Sequence, residues 1–586
     1  MKLIDIKSPA DIKNLNIAEL EDLAKQMRQA VLFRTSQIGG HVSPNLGAIE
    51  IITAMHYVFD APHDKLVFDV SHQAFSHKML TGRAFGYLDP EKFYDIDEYT
   101  FPSESPDYDI FYAGHTSPAI SLSTGLAKAR EINGDDYHIV ALVGDGSLSG
   151  GEAFEGLNVG GNIKGNFIVI INDNQMSIAP NYGAIYKGLR NLRETAGTAE
   201  PNIFKSFGWD YVYLAEGNDM KACIDALESI KDSTRPVVLH VNTQKGLGYA
   251  PAEEFREEWH SHDPYIVESG ALRSPSDKPS YNGALHDFLL RKCLEDPKFL
   301  VVSSATPEEF GFMERERQLA GSHFLDVDIA EQTAASVMAG AARGGLNVVW
   351  PVAATFMQRA YDQILEDWVM DDSPATMPVL CTGIRGINDQ THLGFWDVAF
   401  ITSMPEIVYL APTNVEELVA MLEWSTTQRS YKVAIRVPTY SFEHADAPVE
   451  KDFSDINRFK VMQQGSQVAI IGAGDFYVKA RQVADFLAEQ GIKATLINPR
   501  FISGVDTELL ESLKENHSVV ATIEDASIEG GFGQRVASAL GDSDLKVLNF
   551  GLAKRFENRY RTSDIESKNG LMPDQIAQSI LDVIRR

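Results

Sequence analysis

Two oxygen-bearing side chains follow two apolar runs in this chain. Asp145 comes directly after the run HIVALVG, within the triplet GDG, and Asn172 to Asn174 close the run NFIVIIN in the triplet NDN. Both runs are short, continuous and rich in β-branched residues, the pattern of strands buried on both faces of a parallel sheet. The segment between them, GGEAFEGLNVGGNIKG, reads as a helix. The result is a strand–helix–strand unit with a right-handed connection. In an open parallel sheet Asp145 and Asn174 then lie at the carboxyl ends of strands, where ligands gather. A carboxylate, an amide oxygen and a nearby main-chain carbonyl are hard oxygen donors suited to Mg²⁺ or Ca²⁺, with phosphate oxygens and water completing the shell. Gly144 and Gly146 allow a sharp turn and a close approach to a ligand. Asp-Gly alone is commonly just a turn; the order GDG, helix, strand, NDN is what carries the ligand reading.

Other motifs extend the pattern in order along nearly the whole chain: DVSHQAFSHKMLTGR (69–83), AGHTSPAIS (113–121), GDGSLSGGEAFEGLN (144–158), INDNQMSI (171–178), DIAEQ (328–332) and TFMQRAYDQ (355–363). With this set the chain resembles the 1-deoxy-D-xylulose-5-phosphate synthase family, which is thiamine-diphosphate-dependent and transketolase-like. Transketolases and the E1 parts of 2-oxo-acid dehydrogenases share the fold but not these motifs.

The resemblance implies a set of roles. Asp145, the side chain of Asn174 and the main-chain carbonyl of Met176 would hold Mg²⁺. His72, Gly114, His115, Thr116, Gly146, Ser147, Asn174 and Tyr249 would line thiamine diphosphate. Glu331 would meet the aminopyrimidine ring and promote loss of the thiazolium proton, and burial should raise its pKa. Phe356 would stack on the pyrimidine. His41 in GGHVSP, His260 in EEWHSHDP and His392 in DQTHLG match family histidines in the active site, and imidazole suits proton transfer near neutral pH. Arg359 would bind an anion, either the acceptor's phosphate or a structural carboxylate, and Arg436 is the surviving arginine of a substrate-binding segment.

Three positions depart from the family around the acceptor. The family's substrate-site tyrosine is Ala353 here. Its aspartate falls at Asn388, with Asp389 one place later, and the second arginine of its RYPRG segment is Thr439 in RVPTY. The cofactor chemistry is thus expected intact and the acceptor site altered. The resulting reading is decarboxylation of pyruvate and condensation with an aldehyde, glyceraldehyde 3-phosphate, to give 1-deoxy-D-xylulose 5-phosphate for isoprenoid and thiamine biosynthesis. The alternatives are a different aldehyde acceptor or a transketolase with a ketose donor. A lipoamide-linked oxidoreductase subunit is a further class, and a non-catalytic paralogue is a fourth, against which Glu331 and the three histidines argue.

The elements that must position these groups read as α/β throughout. Asn16 and Glu19 form a capping-box start for a helix of about twenty residues, with Ile17, Leu20, Ala24, Met27 and Val31 at helical spacing. Further strands are expected at VVLHVN, FLVVSS, HFLDVDI, NVVWPVA, PVLCTG, KVAIRV, SQVAIIGAG, ATLINP, VVATIED and LKVLNFG. Breaks at 267–282 and 438–457 divide the chain into three consecutive domains, each a mostly parallel sheet flanked by helices. The expected bounds are 1–275 for Mg²⁺ and diphosphate, 283–440 for the pyrimidine, and 455–586 for a C-terminal, dimer-supporting domain.

The 586 residues, 44% hydrophobic and 23% charged, have the composition of an ordinary soluble protein. A net charge of −30 argues against nucleic acid or an anionic membrane surface as a partner. The three cysteines, Cys223, Cys293 and Cys381, form no CxxC pair, so neither a disulfide framework nor a thiolate zinc site follows. The start, MKLIDIKSPADIKNLN, lacks the apolar core of a secretory signal. A cytoplasmic homodimer acting on small molecules is the expectation.

Overall fold

Asn16 opens the first long helix, Ile17–Ile38, by a reciprocal cap. Its Oδ1 accepts from the Glu19 N–H at 3.1 Å, and the Asn16 N–H donates to the Glu19 carboxylate at 2.8 Å. Leu20, Ala24, Met27 and Val31 of this helix are buried. The computed structural model describes residues 1–276 and 278–585. Contacts divide the chain into two compact units, residues 1–277 with 328–330 and residues 278–327 with 331–586.

The first unit contains β1 (Gly40–His41), β2 (Lys65–Phe68), β3 (Ile139–Gly144), β4 (Phe167–Asp173), β5 (Asp210–Leu214), β6 (Pro236–Asn242) and β7 (Ser261–His262). Five of them form a parallel sheet in the order β2-β3-β4-β6-β5. Side chains alternate across it. Val140, Leu142, Ile168, Ile170 and Leu239 enter the core beneath helices Ile17–Ile38, Ile49–Val58 and Met220–Lys231. Ile139, Ala141, Val169, Ile171 and Val238 enter the core beneath Ala119–Asn133, Gly151–Gly160 and Ala184–Glu194. Each such fully buried Val, Leu or Ile contributes about 1.5–3 kcal/mol relative to exposure. A separate two-residue ribbon pairs β1 with β7, antiparallel.

In the second unit, β8 (Phe299–Ser303), β9 (Phe324–Asp326), β10 (Asn347–Val349), β11 (Val352–Ala353), β12 (Thr376–Leu380), β13 (Ile407–Leu410) and β14 (Lys432–Arg436) make a parallel sheet. Its path is β13-β14-β12-β10-β8-β9, with β11 also on β12. The expected single strand NVVWPVA is split into β10 and β11 at Trp350–Pro351, because Pro351 has no N–H for the ladder. A second sheet contains β15 (Lys460–Gln463), β16 (Gln467–Gly472), β17 (Thr495–Asn498), β18 (His517–Ser527) and β19 (Lys546–Leu552), in the order β15-β17-β16-β18-β19. β15 is antiparallel to β17 and the other pairs are parallel. Val352, Met377, Tyr409 and Ala434 share one core with Ala469, Ile471, Ile497 and Val520, so the two sheets cohere as one unit.

The chain is α/β with mostly parallel sheets flanked by helices, as expected. The break expected at 267–282 ends inside helix Tyr281–Glu295, which Ser280 caps, and its residue Asp277 lies outside the described residues. Residues 438–457 contain neither helix nor strand. Among the described residues no helix is long and apolar enough to cross a membrane.

Candidate active site

In the first unit four loops leave the carboxyl ends of β2, β3, β4 and β6 and are tied together. Asp145, at the end of β3, is buried. Its carboxylate accepts from the Asn181 amide at 2.6 Å and from the Asn174 main-chain N–H at the end of β4. Burial, reinforced by the neighbouring Asp173 charge, pushes the Asp145 carboxyl well above the usual range, against the pull of Asn181, Lys245 and Asn174. Asp173 keeps its charge beside a counter-ion, since it pairs with Arg193 and lies 2.8 Å from His240 Nε2. Asp145 has no such ion pair among the described residues.

The Asn174 side chain accepts from the Met176 N–H at 3.1 Å, closing a tight turn in which Gln175 adopts φ +68°. Gly146 must be glycine here: a Cβ would lie 2.7 Å from Ser177 Cβ. The buried Asn181 Oδ1 has no hydrogen-bond partner among the described residues. A buried carboxylate without a counter-ion, an amide oxygen in the adjacent turn and an orphaned amide oxygen beside them fit a hard divalent cation.

The His72 loop follows β2 and is strained. Val70 and Ser71 are both left-handed, with φ +57° and +67°. Such residues cost about 1–3 kcal/mol each and persist only when the surroundings fix them. Asp69 does so, accepting from the Ser117 and Ala119 N–H groups at 2.9 and 3.1 Å. Those bonds also seat the loop with Gly114, His115 and Thr116. The Ser117 hydroxyl donates to the Ser147 carbonyl at 3.0 Å, linking that loop to the Asp145 turn.

Three imidazoles meet next to these loops. Ring centroids lie 5.1 Å apart for His41 and His72, 5.3 Å for His41 and His260, and 5.3 Å for His72 and His260. The β1–β7 ribbon brings His41 alongside the His260 segment. The Asn45 side-chain amide donates to the carbonyls of His41 and His72 at 2.9 and 2.7 Å. Lys245 donates to Ser177 O at 2.7 Å and approaches His260 Nδ1 at 3.1 Å. Because an ammonium only donates, His260 Nδ1 accepts and Nε2 carries the ring proton. Burial first, then Lys245, holds the His260 pKa well below its ordinary value.

Tyr249 packs edge-on against Trp259, and its hydroxyl donates to Val267 O at 2.9 Å. What it can offer a ligand is therefore a ring, not a hydroxyl.

In the second unit Glu331 starts the helix Glu331–Arg343 and is buried. Burial raises its pKa, while Arg359, 3.3 Å away at Nη1, opposes the rise. Phe356 meets the His392 ring edge-on at 5.7 Å between centroids. Thr391 organises that histidine. Its hydroxyl donates to Asp389 at 2.6 Å and lies 2.8 Å from His392 Nδ1, which must then be the donor. This makes Nε2 the proton-accepting atom of His392.

Of the two expected anion binders, Arg359 has the structural carboxylate partner. Arg436, expected to bind substrate, is likewise held by carboxylates. It is buried, donates from Nε to Asp397 at 2.7 Å, and pairs with Asp525 through Nη1. An arginine with two buried acids serves the fold, joining β14 to β18. The three departures at the acceptor positions differ in burial, with Asn388 exposed and Thr439 half-buried. Ala353 is buried in β11, Asn388 donates to Tyr560 O at 3.3 Å, and the Thr439 hydroxyl donates to Thr382 O at 3.0 Å. Reading the sequence missed Lys245, Asn181, Asn45, Thr391 and Glu98. Lys245, set in QKGLGY at the end of β6, had a legible signal: a lone lysine followed by turn glycines where parallel strands deliver ligand groups.

Comparison with known proteins agrees with this architecture. Residues 3–200 match the family model described as 1-deoxy-D-xylulose-5-phosphate synthase, residues 277–442 that of the transketolase pyrimidine binding domain, and residues 457–576 that of the transketolase C-terminal domain. A 1-deoxy-D-xylulose-5-phosphate synthase of Thermomicrobium roseum is 33% identical over 99% of this chain and 97% of that protein. One of Symbiobacterium thermophilum is 34% identical over 99% of this chain and 94% of that protein. The fold and its domain matches define a transketolase-type, thiamine-diphosphate-dependent transferase. Within that class, the chain belongs to the 1-deoxy-D-xylulose-5-phosphate synthase family.

Proposed function

We propose that this protein condenses pyruvate with glyceraldehyde 3-phosphate, releasing CO₂ and giving 1-deoxy-D-xylulose 5-phosphate for isoprenoid and thiamine biosynthesis. It would use thiamine diphosphate and Mg²⁺ and act as a cytoplasmic homodimer. Its domains would span 1–275, 283–440 and 455–586. The observation that carries the reading is the buried Asp145 carboxylate, without an ion pair among the described residues and bonded to the Asn174 N–H, in a chain matched end to end by synthases of this family.

Asp145, Asn174 and the Met176 carbonyl would hold the metal, and His72, Gly114, His115, Thr116, Gly146, Ser147 and Tyr249 would line the diphosphate end. Glu331 and Phe356 would serve the aminopyrimidine. Bound thiamine diphosphate supplies a nucleophilic thiazolium carbon. The chain's own groups manage protons. Glu331, kept toward its neutral form by burial, can donate a hydrogen bond from its carboxyl. His260 presents a proton on Nε2, and His392 an acceptor at Nε2. Each unit by itself thus presents groups suited to general acid–base chemistry, His41 and His260 in the first and Glu331 and His392 in the second.

Release of labelled CO₂ from carboxyl-labelled pyruvate, dependent on the aldehyde and accompanied by the deoxyketose phosphate, tests this reading. Product formed from a ketose donor without CO₂ would replace it with a transketolase. A second reading, a different aldehyde acceptor, is favoured by the commitment of Arg436 to Asp397 and Asp525. Comparing kcat/KM for glyceraldehyde 3-phosphate and unphosphorylated aldehydes separates the two.

A further inference from the structure

We propose that Glu98 is a positioning residue for His41, fixing its ring so that Nδ1 carries the proton and Nε2 faces the other two imidazoles as the acceptor. One carboxylate oxygen, Glu98 Oε1, takes two hydrogen bonds from this residue: from the His41 ring at Nδ1, 2.7 Å away, and from the His41 main-chain N–H at 2.8 Å. An ionised carboxylate only accepts, so Nδ1 must donate. Burial works against the charge on Glu98, but the His41 contacts outweigh it and bring the carboxyl down to about 2. It is therefore an anion at any working pH.

The backbone is shaped for this contact. Gly40 has φ +118°, and a Cβ there would lie 2.8 Å from Glu98 Oε1. A side chain at position 40 would displace the carboxylate. The segment carrying Glu98 is pinned along its length. Arg34 donates to the carbonyls of Phe93 and Ile96 at 3.1 and 3.0 Å. The Asp97 N–H donates to Glu104 at 2.6 Å, Thr100 N–H to Ser71 Oγ at 2.8 Å, and Phe101 N–H to Asp109 at 2.9 Å. Asp109 and Glu104 are themselves held by Arg83 through buried ion pairs, and Asp109 also lies 2.9 Å from the His77 ring at Nε2, within hydrogen-bond distance. Thus the motif HQAFSHKMLTGR, beyond supplying His72, anchors the strap that delivers Glu98. The groups facing His41 are then Glu98 on one side and His72, His260 and the Tyr99 ring on the others. A carboxylate behind one ring nitrogen fixes the tautomer and supports positive charge on the ring, the logic of carboxylate–histidine pairs generally.

The assignment rests on the proposed acid–base role of His41, and its test has one arm that does not. Nitrogen-15 spectra of histidine-labelled protein, with the His41→Asn variant giving the assignment, report the tautomer without turnover. The expected result is a proton on His41 Nδ1, retained in Glu98→Gln, whose amide oxygen still accepts, and lost or mixed in Glu98→Ala. In the pyruvate and aldehyde assay Glu98→Ala should lower kcat by about 10²–10³-fold with KM for pyruvate nearly unchanged, and Glu98→Gln should recover at least tenfold of that loss. A wild-type His41 protonated on Nε2, or a Glu98→Ala protein that keeps both tautomer and kcat, would overturn the inference. A wild-type protein inactive with pyruvate would strike the functional reading instead, and the nitrogen spectrum would then decide the pairing by itself.

Discussion

The Arg359 guanidinium lies 3.3 Å from Glu331 Oε2, so the cation within the TFMQRAYDQ motif answers a buried carboxyl in its own unit. Losing a charge-assisted contact of this kind costs about 1.5–3 kcal/mol, or roughly ten- to a hundredfold. Arg359→Ala should therefore lower kcat/KM by that factor for phosphorylated and unphosphorylated aldehydes alike. A loss confined to glyceraldehyde 3-phosphate would mean that Arg359 grips the phosphate.

Arg436 should behave as a structural residue. Replacing it by Met leaves Asp397 and Asp525 buried without their cation, and breaking a buried pair in this way costs about 3–5 kcal/mol. Denaturant unfolding should show that loss in the transition that includes β14 and β18. A variant of unchanged stability with a raised KM for the phosphorylated acceptor would restore the substrate role.

The same seam makes stability depend on pH. Burial, with the Asp525 charge nearby, raises the Asp475 carboxyl to about 7, and burial raises Glu524 to about 7. Unfolded carboxyls titrate near 4. Between those values the folded chain holds more protons than the unfolded one. This contribution to stability is therefore complete below about pH 4 and disappears as pH rises through about 7. Tm should fall by roughly 2–5 °C between pH 5 and pH 8. Asp475→Asn with Glu524→Gln should flatten that slope, and an unchanged slope would contradict the assignment.

Lys245 should tune His260. Lys245→Met removes the donor to Nδ1 and a positive charge that holds the His260 pKa down. The histidine should then titrate at higher pH in proton NMR, and kcat should fall by about 10²-fold. A His260 titration that does not move would show that burial alone sets it.

Much of this architecture was legible because the residues that form it are local. β3 and β4 are continuous β-branched runs, and the Asn16–Glu19 cap lies within four residues, so both could be read directly. Edge strands were not legible. β5 (DYVYL) is only half-buried and its short run is half tyrosine, and β15 (KVMQ) is mostly exposed with polar residues at both ends. The Asp145–Asn174 pair was visible from its position after two strands. The partners that tune the histidines were hidden, since Glu98 reaches His41 across 57 positions and several intervening elements. The acids that hold Arg436 were hidden as well, since Asp397 and Asp525 lie in distant segments that only the folding of the second unit brings together.

The most direct test is calorimetric titration of thiamine diphosphate into the cofactor-stripped protein, with and without Mg²⁺. Saturable uptake that requires the metal, and that disappears in Asp145→Asn and Asn174→Ala proteins of unchanged Tm, is the expected result. No heat of binding in the wild type, or equal uptake by the two variants, would contradict the reading of these strand ends as a metal and diphosphate site.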